Sequence, residues 1–552
     1  MGRQNFFPHP LFFFNLIAAD FDPNTMFAFN LSASDRDIFV AKYTSAGNLS
    51  WAKRMGAAGD DDARAISVSN AGNLVFTGSI VATADFDGGT AGTSNVTVSG
   101  NIDAYICRYF TSGTLSYANS ISGSSNEIIN DMVTDASGNI YIVGSLMGTS
   151  DFDPSGSFTY LTSSGNLDVF IAKYTSSGNL SWAKRIGSAG SDKANAVALD
   201  ASGNVYITGT FNGTVDFDPG VSTANLTSAW DDIFIAKYSS SGNYVLAKRF
   251  GGSSNDSGNS IAIDPSGNVI VGGYFQSTAD FDPSTAATYN RTSAGASDVF
   301  FAKYNGSTLN FMWAQAIGGN GSDFIGDIAL TSSGDVCVTG SFEYTADFDP
   351  GVNPLNITSM GFKDAFIGKY SNGTGSLVWA KRMGGTFDEI GLSIATDGSG
   401  YVYVTGYFKG IVDFDPNDGT QNLTSAGQTD IFIARYSSTG NYSWAKRIGG
   451  SSYEEGTSVK LDESNNVYVT GFFQSTGVDF DPSGNTTTLS SAGGSDVFIT
   501  RFTSNGGFSY AKNMGGTLSD SGVAIAIGAS NSIVVAGNFR GTADMDPGAG
   551  SL

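Results

Sequence analysis

The sequence predicts an all-β protein in which one four-stranded antiparallel unit recurs eight times, the pattern of an eight-bladed β-propeller. Three observations predict this fold. The tripeptide Asp-Phe-Asp recurs at intervals of 64 to 67 residues, and segments such as DIFVAKY and LSWAKRMG recur eight times at the same interval. Runs of aromatic and β-branched residues alternate with Gly-rich turns, as in proteins with many short strands. No 3.6-residue apolar period survives between these turns, which excludes a helical solenoid.

The third unit illustrates the four strands. They are predicted at Ala194–Leu199, Val205–Phe211, Asp232–Tyr238 and Tyr244–Phe250. The turns DASGN and SSSGN join them in pairs, because Gly and Asn tolerate positive φ. The first two strands are expected to lie innermost. The fourth is expected at the outer edge, where basic pairs such as Lys248–Arg249 would discourage edge-to-edge association.

The phase of the repeat predicts how the ring closes. The chain starts with the third and fourth strands of a unit, at Asp37–Tyr43 and Leu49–Met55. It finishes with the first and second, at Val523–Ile527 and Ile533–Phe539. We therefore expect one blade shared between the N- and C-termini, within a single propeller domain over residues 20–552. A chain cut from a longer array would show the same phase.

Residues 1–19 are expected to be a signal peptide or an irregular N-terminal segment. One Arg precedes an aromatic-rich run, but Pro8, His9, Pro10 and Asn15 interrupt the apolar core that a signal peptide needs. No stretch approaches ~20 uninterrupted apolar residues, so no membrane span is predicted.

Charge and residue usage exclude several functions. With 51 acidic and 28 basic residues, the net charge of −23 repels nucleic acid and anionic lipid, so neither is a predicted partner. The single histidine, His9, lies outside the repeats, which excludes a Ser-His-Asp triad or a His-ligated zinc site within them. Cys107 and Cys337 fall at non-equivalent positions in apolar strands, so they are predicted to be buried thiols. We expect a monomer.

The Asp-x-Asp motif is the candidate cation site. Two carboxylates at i and i+2 on extended backbone project to one side, and Ca²⁺ prefers oxygen ligands. Alternatively, each Asp accepts bonds from loop amides while the Phe is buried in the blade. No other cofactor is predicted. The candidate calcium ligands are Asp85, Asp87, Asp151, Asp153, Asp216, Asp218, Asp280, Asp282, Asp347, Asp349, Asp413, Asp415, Asp479 and Asp481.

The repeated unit resembles a known bacterial family. The segments ANAVALDASGNVYITGTFNGTVDFDPG, DDIFIAKYSSSGN and AKRFGG look like the SBBP β-propeller repeat. The likeness runs from about Asp20 to Pro547. It implies a secreted or surface protein of Bacteroidetes-like bacteria, in a family with no shared enzymatic activity.

A shorter likeness is to the docking motif of quinoprotein dehydrogenase propellers. Ala172, Gly178 and Trp182 fall at its spacing, with Tyr174 in place of the family's Asp. The adjacent cysteines of the cofactor site are missing, so quinone-dependent activity is not expected. The likeness implies that tryptophans pack between neighbouring blades. The residues it assigns to this role are Trp51, Trp182, Trp313, Trp379 and Trp444.

These observations favour a non-catalytic binding scaffold outside a bacterial cell or on its surface. Its partner would be an unknown extracellular protein or glycan, held by variable connections such as Thr90–Asn101 and Thr285–Ser297. Two alternatives stay open. One is a secreted polysaccharide hydrolase or lyase, which would need clustered carboxylates in an axial pocket. The other is a propeller fragment of a larger surface protein.

Overall fold

The computed structural model describes residues 30–546, apart from 57, 70, 88–93, 350–353 and 416–418. Within that range the chain is all-β, as predicted, and its one helical element is a 3-10 turn at Ala529–Asn531. No helix in the described part has the length and hydropathy needed to cross a bilayer. The predicted signal peptide or irregular segment at 1–19 lies outside the described residues.

The long strands form eight groups of four in the described residues. Each group is called a sheet here and is numbered by its place in the chain. The bounds are Asp62–Val68, Leu74–Ile80, Asp103–Tyr109 and Leu115–Gly123 in sheet 1; Glu127–Thr134, Ile140–Leu146, Asp168–Tyr174 and Leu180–Ile186 in sheet 2; Lys193–Leu199, Val205–Phe211, Asp232–Tyr238 and Tyr244–Gly252 in sheet 3; and Ser257–Ile263, Val269–Phe275, Asp298–Tyr304 and Phe311–Gly319 in sheet 4.

The remaining sheets repeat the arrangement. Their bounds are Phe324–Leu330, Val336–Asp347, Asn356–Tyr370 and Leu377–Met383 in sheet 5; Ile390–Thr396, Val402–Phe408, Asp430–Tyr436 and Tyr442–Ile448 in sheet 6; Glu454–Leu461, Val467–Phe473, Asp496–Phe502 and Phe508–Gly516 in sheet 7; and Ser521–Ile527, Ile533–Asp544, Asn30–Tyr43 and Leu49–Met55 in sheet 8.

In every sheet the four strands pair antiparallel in the order given above. In sheet 3, Val197 lies opposite Ile207, Ile207 opposite Ala236, and Ala236 opposite Ala247. Each sheet therefore has two ends. The tight turns lie at one, called the hairpin end. At the other, called the loop end, the first and third strands begin and the second and fourth finish.

The hydrophobic core lies between neighbouring sheets. The second and third strands are buried along almost their whole length and are rich in apolar residues, whereas the fourth strand is mostly half-buried. Each apolar cluster joins residues of consecutive sheets. One contains Tyr206 and Ile235 of sheet 3 together with Val271 and Phe300 of sheet 4. Consecutive first strands also touch along the whole series.

Sheet 8 combines the two ends of the described chain. Its third strand, from the N-terminal part, pairs with its second strand, from the C-terminal part, with Phe39 opposite Gly537. Its apolar residues pack against both sheet 7 and sheet 1: Phe39 shares a cluster with Ile499, and Val40 shares another with Phe76. Its first strand contacts the first strands of those two sheets.

The Asp-x-Asp segment forms an arm between the second and third strands of each sheet. Six arms are short hairpins, whereas in sheets 5 and 8 the long strands themselves continue into the arm. The hairpins are Ala84–Asp85 with Asn95–Val96, Thr149–Asp151 with Tyr160–Thr162, Thr214–Asp216 with Asn225–Thr227, Thr278–Asp280 with Asn290–Thr292, Ile411–Asp413 with Asn422–Thr424, and Val478–Asp479 with Thr488–Leu489.

Candidate functional sites at the sheet junctions

Several arms pair backward with the fourth strand of the preceding sheet. Asp151 of the sheet 2 arm lies opposite Ser122 of sheet 1, and Asp280 of the sheet 4 arm lies opposite Gly251 of sheet 3. The same pairing joins Asp544 of sheet 8 to Gly515 of sheet 7, and single bridges join Gly56 to Asp85 and Gly384 to Asp413. The candidate calcium ligands therefore lie where two sheets meet.

The carboxylates of the arm bind the backbone of their own loop. In sheet 2, Asp151 Oδ1 accepts the N–H groups of Asp153 at 3.0 Å and Thr159 at 2.9 Å, and Asp153 accepts the N–H of Ser155. The first Asp accepts the N–H of the second in each of the eight described arms. These bonds fix the loop without a metal.

The surroundings of the arm contain a competing cation. Lys446 lines a cleft of about 290 Å³ together with Asp479 and Asp481, and Lys248 lines the equivalent cleft beside Asp282. A lysine ammonium at this position would compete with a bound metal ion. In the described part of the chain, no group of three or more His, Cys, Asp or Glu side chains suits a metal. Calcium binding by the arms stays a prediction, and its test is given below.

The residue between the two aspartates anchors each arm in the core. It is Phe in seven arms and Met545 in that of sheet 8, and each is at most 1% exposed. The Tyr that completes the third strand donates its hydroxyl to the carbonyl of this residue, as Tyr174 does to Phe152 at 2.8 Å. The bond recurs with Tyr43, Tyr109, Tyr238, Tyr304, Tyr370 and Tyr436. Sheet 7 has Phe502 instead, which has no hydroxyl to donate.

The tryptophans of the fourth strand reach the next sheet at the hairpin end. Trp182 of sheet 2 donates its Nε1–H to the carbonyl of Ser240 in sheet 3, at 3.2 Å, and its ring packs on Gly242. Trp51, Trp313, Trp379 and Trp444 make the same pair of contacts with Thr111 and Gly113, Asn372 and Gly375, Ser438 and Gly440, and Ser504 and Gly506. Tyr117 and Tyr510 lie on the corresponding glycines at two other junctions.

Each junction also contains two buried acids, which sequence reasoning missed. The first begins the third strand in six sheets and lies within the longer third strands of sheets 5 and 8, and the second lies at or just before the start of the next sheet. None is more than 4% exposed. From the junction of sheets 8 and 1 onward, the pairs are Asp37 and Asp61, Asp103 and Glu127, Asp168 and Asp192, Asp232 and Asp256, Asp298 and Asp323, Asp364 and Glu389, Asp430 and Glu454, and Asp496 and Asp520.

The two acids of a junction flank the residue that follows the last large apolar residue of the fourth strand, such as Gly251 after Phe250, and this residue is a glycine in seven sheets. A methyl group on Gly251 would lie 2.8 Å from Asp232 Oδ1 and 2.8 Å from Asp256 Oδ2, and its φ of 143° also disfavours other residues. The second acid accepts backbone N–H groups, as Asp256 does from Gly252 and Gln276. Oδ1 of the first acid is buried without a partner in seven junctions, at Asp37, Asp103, Asp168, Asp232, Asp298, Asp364 and Asp430.

Arginine compensates the first acid at five junctions. Arg249 Nε donates to Asp232 Oδ2, and Arg382 Nε lies 3.5 Å from Asp364 Oδ2. The other three are Arg54 with Asp37, Arg185 with Asp168, and Arg447 with Asp430. Ser120, Ala316 and Asn513 replace the arginine in sheets 1, 4 and 7. The basic pairs predicted to protect the outer edge thus have a second use, because one member of each neutralises a buried acid.

Burial raises the pKa of most of these acids. Loss of hydration is the main cause where the pKa is raised, and nearby carboxylates add to it at Asp256, Glu127 and Glu389. The pKa of Asp256 rises to about 7, that of Glu127 to about 8 and that of Glu389 to about 9. The signal in the sequence was an acid recurring eight times immediately before an apolar strand. A charge at a strand start is normally assigned to the surface, so its burial was not anticipated.

Comparison with known proteins identifies the repeat. The SBBP family profile, described as a beta-propeller repeat, matches residues 181–215, which include the fourth strand of sheet 2 and the start of the sheet 3 arm. Two curated relatives cover most of the chain. The uncharacterized WD repeat-containing protein L264 of Acanthamoeba polyphaga mimivirus is 22% identical over 78% of the chain and 36% of its own length. The regulatory protein FlaEY of Caulobacter vibrioides is 25% identical over 77% of the chain and 45% of its own length.

The chain therefore spans less than half the length of either relative. Among solved structures, Sqt1 from Chaetomium thermophilum superposes over 91% of the chain and 100% of its own, with 10% identity and a TM-score of 0.42. The resemblance stated from the sequence is confirmed for the repeat: residues 181–215 match the SBBP β-propeller repeat.

Proposed function

We propose that the chain is a non-catalytic binding propeller of eight blades, secreted by a bacterium or displayed on its surface. Two features of the described residues support the closed ring. Sheet 8 is built from both ends of the chain, and its first strand contacts the first strands of sheets 7 and 1. The SBBP-type repeat supports the location, because the family resemblance implies secreted or surface proteins.

The observation that carries the binding proposal is a difference between the two ends of the sheets. Large apolar side chains are exposed at the loop end, in the connections at Phe387, Tyr453 and Leu518 and at Phe324, which begins a first strand. At the hairpin end, Phe110 is the only exposed one in the described turns, and Val245, Met312 and Val378 are exposed singly near the start of fourth strands. Exposed apolar clusters on one side of a soluble protein mark an interaction surface. The loop end is therefore the proposed binding face.

The position of the acids supports the absence of catalysis. Carboxyl groups with strongly raised pKa values, among them Glu127, Glu389 and Asp520, are buried at the junctions. A general acid must lie within hydrogen-bond reach of its substrate, which a side chain sealed between two sheets does not. These groups are also repeated at every junction, whereas an active site needs one place to differ.

Binding is tested on an array that carries neutral glycans, acidic glycans and extracellular-matrix proteins, probed with the full chain. We expect saturable binding to one ligand class and no release of reducing ends from polysaccharides. No binding to any class would refute the binding proposal, and turnover of a polysaccharide would refute the non-catalytic one. Location is tested by protease treatment of intact source cells, which should degrade the protein if it is on the surface.

A further inference from the structure

We infer that the loop end of sheets 5 and 6 is a platform for an uncharged glycan, with Tyr344 and Phe362 as the stacking residues. The inference rests on the proposed function and names its ligand class. Among the described residues, the connection of sheet 5 carries three strongly exposed large apolar side chains close together. Tyr344 is 62% exposed, Met360 60% and Phe362 75%.

The first observation is the identity of these residues relative to the other repeats. Phe362 lies two residues before the buried acid of the third strand, Asp364. Sheets 2 and 6 have the polar Asn166 and Gln428 at this position, and sheet 3 has Trp230, which is 55% exposed. Met360 takes the place of Ser164 and Ala426. The scaffold therefore does not require large apolar residues here, since equivalent arms form with small and polar ones.

The second observation is backbone strain at Tyr344. Its φ is 59°. Sheets 2, 3 and 6 have glycines at this position, with φ values of 76°, 83° and 72° at Gly148, Gly213 and Gly410, and sheet 4 has the small Ser277, with a φ of 58°. A bulky residue is unfavourable in this region, and an exposed ring recovers little by packing. Strain retained at an exposed aromatic residue indicates a role outside folding.

The third observation is that the patch is continuous with sheet 6. Gly361 lies against the backbone of Thr386 and Phe387, and the Phe387 ring packs on Gly410. The Lys409 ammonium lies 5.3 Å from the centre of that ring. Phe387 is itself exposed, so the apolar surface extends from the arm of sheet 5 across the junction.

The charges around the patch select the ligand class. Lys363 is paired with Glu343 at 3.9 Å, and its backbone N–H is bonded to Asp388. Lys409 donates to Gln428 Oε1 at 2.7 Å. Two cations and two carboxylates leave the patch neutral on a chain of net charge −23, whose field opposes an anionic ligand or a second copy.

An uncharged pyranose matches this surface. Its C–H face is apolar and flat enough to stack on an aromatic ring, and its hydroxyls both donate and accept hydrogen bonds. Carboxylates of Glu343 and Asp388 and the amide of Gln428 surround the aromatic residues and offer partners for those hydroxyls. A neutral polysaccharide chain is therefore the occupant that satisfies both the apolar and the polar parts.

The test uses the full chain with cellulose, xylan, β-1,3-glucan, polygalacturonate and matrix proteins as probes. The variant Tyr344→Gly with Phe362→Asn restores residues found in other repeats, so it should fold with an unchanged or higher melting temperature. We expect it to bind neutral polysaccharide at least tenfold more weakly than the wild type. The matched control is Phe158→Ala with Tyr160→Ala, which removes the exposed, stacked pair on the sheet 2 arm and should leave binding unchanged.

The outcomes separate this inference from the proposed function. Equal loss in both variants, no loss in either, or preference for polygalacturonate overturns the glycan platform. So does binding to proteins alone, or self-association in the ultracentrifuge that Tyr344→Gly abolishes. In each of those cases the protein still binds a partner, so the proposed function stands. Binding to nothing overturns both.

Discussion

The junctions of sheets 3 and 4 and of sheets 4 and 5 contain the same pair of buried acids with different compensation. Arg249 neutralises Asp232 at the former, whereas Ala316 occupies that position beside Asp298 at the latter. The pKa is nevertheless raised at both, to about 6 for Asp232 and about 7 for Asp298. Burial, more than the missing arginine, therefore sets the proton affinity of these acids, and the arginine offsets only part of it.

The largest expected effect is a fall in stability as pH rises from 5 to 9. An acid whose pKa is higher in the folded than in the unfolded chain contributes stability at low pH, and this contribution is lost as pH rises through the folded value. The pKa in the folded chain is about 6 for Asp232 and about 9 for Glu389. For Asp298, the rise in pKa from 3.8 to about 7 corresponds to about 4 kcal/mol of unfolding free energy, which is lost once the acid is ionised in the folded chain.

Other carboxylates have the opposite dependence and limit the effect at low pH. Hydrogen bonds lower the pKa of Asp200 and Asp264 despite partial burial, so their contribution is lost as pH falls below about 4. Stability should therefore be greatest between about pH 4 and 6. Melting temperatures at pH 5, 7 and 9 and constant ionic strength measure this, and a flat or rising series would contradict it.

Replacing both acids at the junction of sheets 4 and 5 with neutral residues measures how much this junction contributes to the fall in stability with pH. Asp298→Asn with Asp323→Asn keeps the shape of the site and removes two ionisable groups. We expect a gain of about 3 kcal/mol at pH 8 and little change at pH 5, measured by urea unfolding. Asp282→Asn, in the arm of the same sheet, is the control for adding an amide and should give no gain at pH 8.

Exchanging the arginine between the two junctions tests how much it compensates. Arg249→Ala should cost about 1 kcal/mol at pH 8, because its side chain is 36% exposed and water already screens its charge. Ala316→Arg should stabilise sheet 4 by a similar amount and lower the pKa of Asp298. Both effects should vanish at pH 5. If the exchange has no effect at either pH, the arginines contribute only to the outer edge.

A smaller effect concerns the tyrosine that secures each arm. Tyr304→Phe removes the hydroxyl that donates to the carbonyl of Phe281 at 3.0 Å and should cost about 1 kcal/mol. Sheet 7 already lacks this bond because Phe502 occupies the position. The reverse change, Phe502→Tyr, should stabilise the protein by no more than that amount. Destabilisation by Phe502→Tyr would mean that the arm of sheet 7 has packed around a side chain without a hydroxyl.

Much of the fold could be predicted because the strand and turn signals within each unit recur at the same places in every repeat. The third unit's predicted strands Val205–Phe211 and Asp232–Tyr238 have those bounds in the structure, since apolar runs and Gly-Asn turns delimit them. The burial of the residue between the two aspartates, weighed as one alternative, also follows from local sequence. These features depend on residues close together in the chain.

The parts that could not be predicted depend on contacts between different repeats. Nothing in Asp232 alone indicates that it will face Asp256, 24 residues away and in the next sheet. The backward pairing of Asp280 with Gly251 likewise joins two repeats at their edges. The platform at Tyr344 was missed because a Tyr in a glycine position is recognised only when φ is known.

Calcium is expected to have the smallest effect on stability. Its effect depends on a difference between the acids of the arms and the acids of the junctions. The arm acids are bonded to loop amides and lie beside lysines, whereas the junction acids keep unpartnered oxygens. A specific site at 100-fold excess over its dissociation constant would add about 2.7 kcal/mol. We expect equal melting curves in excess Ca²⁺ and in EDTA. A shift that Asp282→Asn reduces would establish the arm as a calcium site, and one that Asp298→Asn reduces would place the cation between the sheets.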